Sequence, residues 1–292
     1  MTWILYTLGA ILLWTVVNVL DKHIISDDLK DPKLVTTLFG VQVYLLYIIF
    51  ALINGSISAE WTVIVWSMIS GLVYSSAIYY YYTVMQDQEV TRFVPLFALT
   101  PAFIAIVAYF MFGEKLDLIH YVAIFIIMVG AVVLTHEKKK KTKNGYMVLF
   151  LTMLTVLLFS THTMIFDYTL NFAGVGPILF WFGIGGLILP LILYIFHHPH
   201  IKAKAKQGVS LLIVVITLSA IGMIFLIKAL AIGSVVLITA LIATKPLLVF
   251  LLATFLSFTH PKFIREKHSM PVLIQKGIGI VLIVIGGVMI VI

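Results

Sequence analysis

The run ITALIATKPLLVF, residues 238–250, places Lys245 beside Pro246 inside an apolar stretch with no other charge nearby. Lys245 lies about 11 residues from either end of the stretch 234–258, roughly 16 Å along a helix. Its ammonium cannot reach an interface from there, and an unpaired charge at membrane depth costs on the order of 3 kcal/mol. Lys245 is therefore expected to face a protein interior, water or a bound anion. Its alternative role is structural, as a tie to carbonyls or a hydroxyl on a neighbouring helix. Pro246 removes a helical donor and frees carbonyls in the preceding turn.

Other polar residues fall on shared helical faces. Trp14, Thr15, Asn18 and Lys22 stand three and four residues apart, as do Ser160, Thr163 and Asp167. Such stripes suit a cavity lining, or hydrogen bonds between packed helices. His162 is able to carry a proton, or simply to accept a hydrogen bond. Ser70, Tyr74, Ala77 and Tyr81 make a third face; the run Tyr79–Tyr82 points all round its helix, and Tyr74 and Tyr81 are the tyrosines expected to line a cavity. Lys228 is a second candidate cation, close enough to the end of its apolar stretch to snorkel instead. Lys276 is expected at an interface. Gly71, Gly130, Gly286 and Gly287 are expected to permit close helix packing.

All twelve acids fall in loops or at the ends of apolar stretches, Asp21 among them. A site for cationic solutes usually needs an embedded carboxylate. A central lysine without one points to a solute with an anionic group. No catalytic residue is expected, because no nucleophile or metal set stands beside a base. The group His197, His198 and His200 has no acid or cysteine nearby, so no metal site is expected. The chain has no cysteine, which excludes disulfides and thiolate ligands. It lacks the G-x-x-x-x-G-K-[ST] nucleotide motif, and no cofactor is called for.

The elements that must position these residues are membrane spans. With 62% hydrophobic and 11% charged residues and a mean hydropathy of +1.15, the 292-residue chain is too apolar for a soluble domain. The predicted fold is an all-α integral membrane protein with ten transmembrane helices, near 3–20, 34–53, 61–83, 93–112, 118–135, 146–166, 176–196, 209–230, 234–258 and 271–292. No cleavable signal is expected at the start.

A shift of 145 residues lays the second half on the first: Leu12–Thr15 on Leu157–Ser160, Gly40 on Gly185, Pro101 on Pro246. We therefore expect a first five-helix repeat at 1–135, a basic linker at 136–145 and a second repeat at 146–292. A unit with an odd number of spans sits inverted relative to its copy, an arrangement that places a solute site at the repeat interface. The odd-numbered loops carry fifteen lysines and arginines, and the even-numbered loops only Lys115. The positive-inside rule then puts the odd loops in the cytoplasm and both termini outside, in an inner or plasma membrane. The run Lys138–Lys141 is a topology anchor on this reading. The net charge of +7 reflects this asymmetry rather than nucleic-acid binding.

Residues 79–134 carry an aromatic-rich span, a short turn, the start VPLF, a central LTP, the pair Gly113–Glu114 and a glycine-containing last span. Residues 227–256 repeat much of this. In these features the chain resembles the EamA-type transporters of the drug/metabolite transporter superfamily. The resemblance implies a ten-helix transporter with a central cavity lined mainly by spans 1, 3, 4 and their counterparts 6, 8, 9; Pro101 and Pro246 are the expected helix breaks. It departs from the pattern where Phe258 and Thr259 replace the glycine–glutamate pair and where lysine precedes Pro246. The expected function is alternating-access transport, in the export direction, of a small amino-acid-like or otherwise anionic metabolite. One chain is sufficient for a pathway, and its partners are the solute and the lipid bilayer. A flippase for a lipid-linked substrate is the alternative, distinguished by a lateral opening toward lipid. A membrane-embedded enzyme is the remote one.

Overall fold

The computed structural model describes residues 2–53, 57–100, 103–104, 117–135, 145–197, 206–233, 235–242, 244–261, 263–264 and 269–289. Among them every regular element is helical. Helix α1 spans Thr2–His23 and continues through a wide turn at Ile24–Asp28. Then come α2 (Pro32–Ile53), α3 (Trp61–Asp87) and the short α4 (Val90–Phe93), which runs into a tight helical turn at Val94–Leu99. The first half closes with α5 (Leu118–Thr135). The second half holds α6 (Gly145–Leu170), α7 (Val175–His197), α8 (Lys206–Leu230), α9 (Val235–Ile242), α10 (Lys245–Thr259) and α11 (Met270–Met289).

Seven helices among the described residues are long and apolar enough to cross a membrane. The protein is an integral, multi-pass membrane protein. Outward-facing side chains such as Leu12, Phe125, Phe196 and Phe255 are large and apolar, as a lipid-facing surface requires.

Two expected spans are not single straight helices. The ninth is split into α9 and α10, with Pro246 in the first turn of α10, where its missing N–H costs nothing. The break is held by Thr244, whose N–H and hydroxyl both donate to the Leu241 carbonyl, at 3.1 and 2.7 Å. The fourth span opens as the tight turn Val94–Leu99 that contains Pro95. Pro101 and His198–His200 lie outside the described residues.

The main pairings are α2 with α7, α5 with α11, α1 with α8, and α3 with both α6 and α7. Glycine permits the closest of them. A Cβ on Gly71 would strike the Phe182 carbonyl, and one on Gly185 the Met68 backbone. Gly130 and Gly286 meet the facing backbones of α11 and α5 in the same way, each within 3.0 Å of a carbonyl oxygen. Gly287 is buried on α11.

Lys276 requires a correction. It is not an interface lysine: it is buried, at 1% exposure. Its Nζ donates to Thr91 Oγ1 at 2.8 Å and lies 2.6 Å from Glu89 Oε2. The cause is tertiary, since α11 packs against the turn at Val94–Leu99 just after the segment that carries Glu89 and Thr91. Arg92 Nε holds the same carboxylate at 3.1 Å. Partial burial pushes the Glu89 pKa up, but the hydrogen bond and charge of Lys276, with Arg92 beside it, leave it below its ordinary value.

Candidate functional site

Between the two halves lies a cavity of about 140 Å³. Helix α1 contributes Trp14, Val17, Asn18 and Asp21, and α3 contributes Tyr74, Ile78, Tyr81 and Tyr82. These positions follow the i, i+3, i+4, i+7 spacing of one helical face. The second half supplies Phe159, His162 and Thr163 from α6 and Ser219, Met223 and Leu226 from α8. Ile242 and Lys245 flank the break between α9 and α10, and Phe97 and Thr100 come from the opposite turn. Phe39 of α2 completes the wall.

The 145-residue shift organises this wall. It pairs Trp14 with Phe159, Val17 with His162, Asn18 with Thr163 and Tyr74 with Ser219. It also pairs Ile78 with Met223, Tyr81 with Leu226, Phe97 with Ile242 and Thr100 with Lys245. Only Asp21, Phe39 and Tyr82 lack a lining counterpart.

Lys245 stands at the first position of α10 and projects its ammonium into the cavity. Nζ lies 5.8 Å from the centre of the Trp14 ring and 5.6 Å from that of Phe97. These cation–π contacts favour the charge without using its hydrogens. Among the described residues no hydrogen bond or ion pair engages it. Its three N–H donors remain available to an anionic group.

Asp21 corrects the expectation that no acid lies at depth. It is 2% exposed and lines the cavity. Tyr81 donates to its Oδ2 at 2.9 Å and Tyr82 to its Oδ1 at 2.7 Å. Asn18 Nδ2 in turn donates to the Tyr81 hydroxyl at 2.9 Å. The apolar run in the sequence breaks at LDKH, which marks Asp21 as the end of a span. The helix in fact continues through His23 and the wide turn to Asp28, so Asp21 remains among packed helices. The available signal was the spacing Trp14, Asn18, Asp21, which is one face. Lys22 points to α3 instead and donates to the carbonyls of Met85 and Gln86, at 2.8 and 3.2 Å.

The remaining candidates divide. Trp14, Asn18, Tyr74, Tyr81, His162 and Thr163 are all on the wall. His162 Nδ1 and Ser70 Oγ share a hydrogen bond of 2.9 Å, and its ring packs against Tyr74 and Phe166. Its Nε2 is buried without a hydrogen-bond partner. Thr15 and Ser160 lie off the wall, and each hydroxyl donates back to its own helix, to Ile11 and Val156 at 2.8 Å. Lys228 also lies off the wall: it is exposed, with Nζ 5.9 Å from the Tyr6 ring centre. Its place near the end of α8 lets the chain reach outward. Phe97, Met223 and Ser219 are lining residues that sequence reasoning missed. Among the described residues no group of three or more His, Asp or Glu is placed to hold a metal.

Membrane-length helices around a polar-spotted cavity at a helix break define a multi-pass membrane protein with a central solute-sized chamber. Residues 1–136 match the model of the EamA-like transporter family, a family of the drug/metabolite transporter superfamily. One solved crystal structure, described only as a protein, is similar at a TM-score of 0.65 and 17% identity, over 98% of this chain and 94% of its own. At that identity the likeness concerns the fold alone. No curated protein matches the sequence.

Proposed function

We propose that the protein is a secondary transporter that exports a small organic metabolite by alternating access. The solute is amino-acid-like or otherwise carries an anionic group, which docks on Lys245. One observation carries this reading: Lys245 enters the central cavity at a helix break, between two aromatic faces, with its donors unused among the described residues. A structural lysine at that depth is expected to be tied to carbonyls, as Lys22 is.

The two halves, 1–135 and 146–292, are inverted five-helix repeats on this reading, joined by the basic linker 136–145. The paired cavity wall supports it, because sixteen of nineteen lining residues fall into pairs under one shift. The packing pattern agrees. Exchanging the halves turns the α1–α8 pairing into α6–α3, and leaves α2–α7 and α5–α11 unchanged. The basic odd-numbered loops support a cytoplasmic position for that side, with the termini outside.

The test is a thermal-shift screen of purified wild type and Lys245→Ala against a library of anionic, zwitterionic and cationic metabolites. A ligand at 100 times its Kd adds about 2.7 kcal/mol of apparent stability. Anionic metabolites are expected to stabilise wild type and not the variant. An equal response from both proteins would remove Lys245 from the site.

A further inference from the structure

We propose that Asp21 takes up a proton when an anionic group docks on Lys245, so that the solute and one proton occupy the cavity together. This rests on the assignment of Lys245 above. Among the described residues the cavity wall carries one cation and one carboxylate, Lys245 and Asp21, with no ion pair within 4.0 Å between them. Their formal charges cancel. An incoming anionic group adds a negative charge to a chamber walled by Trp14, Phe39, Phe97, Phe159 and Leu226. An uncompensated charge is costly in such surroundings. The carboxylate is the group on the wall whose neutralisation restores the balance: a proton from bulk water bonds to one Asp21 oxygen and gives the neutral acid.

The neighbours of Asp21 accommodate both forms. With Asp21 ionised, Asn18 Nδ2 donates to Tyr81, and Tyr81 and Tyr82 donate to the carboxylate. With Asp21 protonated, its O–H can donate to the Tyr81 oxygen. Tyr81 then needs an acceptor, and a flip of the Asn18 amide presents Oδ1, which is buried and without a hydrogen-bond partner. The chain of donors reverses with no change of backbone. Asp21 and Tyr82 are also among the three lining residues without a counterpart in the other half. The acid is thus an addition to the duplicated wall rather than part of it.

Other titratable groups around Asp21 are engaged. On α3 it faces Tyr81 and Tyr82, with Tyr74 farther along the same wall. Lys22 of α1 binds the end of α3, and Arg92 of α4 pairs with Glu89. His23 lies 3.8 Å from both Asp27 and Asp28 beyond it. His162 of α6 bonds Ser70, and Lys228 of α8 is exposed beside Tyr6. Lys245 of α10 is the cation that shares its cavity.

The test is calorimetry on the purified full chain with 3-phenylpropionate and L-phenylalanine, in buffers of unequal protonation enthalpy at one pH. Wild type is expected to take up about one proton per 3-phenylpropionate and none per L-phenylalanine, whose own ammonium supplies the balancing charge. Asp21→Asn is expected to bind 3-phenylpropionate without proton uptake. Binding by wild type without uptake, or equal uptake by Asp21→Asn, overturns the inference and leaves the Lys245 assignment standing. Equal binding by Lys245→Ala sinks that assignment instead. A second measurement needs no ligand: the infrared band of the protonated Asp21 carboxyl, assigned by its loss in Asp21→Asn. It is expected to be larger in Lys245→Met than in wild type at the same pH, and equal bands overturn the inference.

Discussion

Replacing Lys276 by methionine is expected to destabilise the protein and to change how its stability depends on pH. Lys276 is 1% exposed, and the Glu89 side chain it meets at 2.6 Å is 17% exposed. Removing one partner of a fully buried ion pair costs about 3–5 kcal/mol. Here the loss is smaller, because Glu89 keeps Arg92 at 3.1 Å and some contact with solvent. We expect about 1–3 kcal/mol, within the range for a lost charge-assisted hydrogen bond. The sign of the pH effect follows from Glu89, whose folded pKa lies below its ordinary value of 4.5. The pair's contribution is therefore complete above that value and fades as pH falls through the folded pKa. Thermal unfolding of purified protein in detergent, followed by circular dichroism from pH 7 down to about pH 3, measures both. Wild type is expected to lose its advantage over Lys276→Met as the pH falls through the acid range. In the double variant Glu89→Gln/Lys276→Met, the loss should be less than the sum of the single losses. A Lys276→Met protein as stable as wild type at pH 7, with a parallel pH profile, would refute the assignment of this contact as a stabilising pair.

Two further predictions test the packing and the boundary of the site. Gly71→Ala places a methyl group against the Phe182 carbonyl, so α3 and α7 must separate. We expect about 1–3 kcal/mol of destabilisation, seen as a lower melting temperature in detergent; an unchanged value would show that the contact yields freely. Lys228→Ala is expected to leave unchanged the thermal shift given by any metabolite that stabilises wild type, because Lys228 lies outside the cavity wall. Loss of that shift would extend the site to the end of α8.

Much of the architecture was legible because the relevant signals are local. Apolar length marks the membrane helices, and Pro246 marks the break between α9 and α10, since a proline cannot supply the donor a continuous helix needs. The spacing of Trp14 and Asn18, and of Tyr74 and Tyr81, is enough to put each pair on one face. Even the wall of the cavity is foreshadowed in one dimension, because a single shift of 145 pairs most of its residues.

What lay beyond the sequence depends on which helix packs against which, and on the rotation of each about its axis. Thr15 and Asn18 share a stripe three residues wide, yet only Asn18 turns into the cavity, because α1 packs its other side on α8. Asp21 reads as the end of a span until α3 brings Tyr81 and Tyr82 to its two oxygens. Lys276 reads as an interface residue until Glu89, just before α4, and Thr91 in α4 meet its ammonium. A charge in a membrane helix needs a partner or a polar chamber, and the residues that supply it can be far away in the chain. The sequence alone marked the long apolar helices and the helix break at Pro246, whereas only the tertiary structure decided which buried charges are paired and that Lys245 and Asp21 face one chamber.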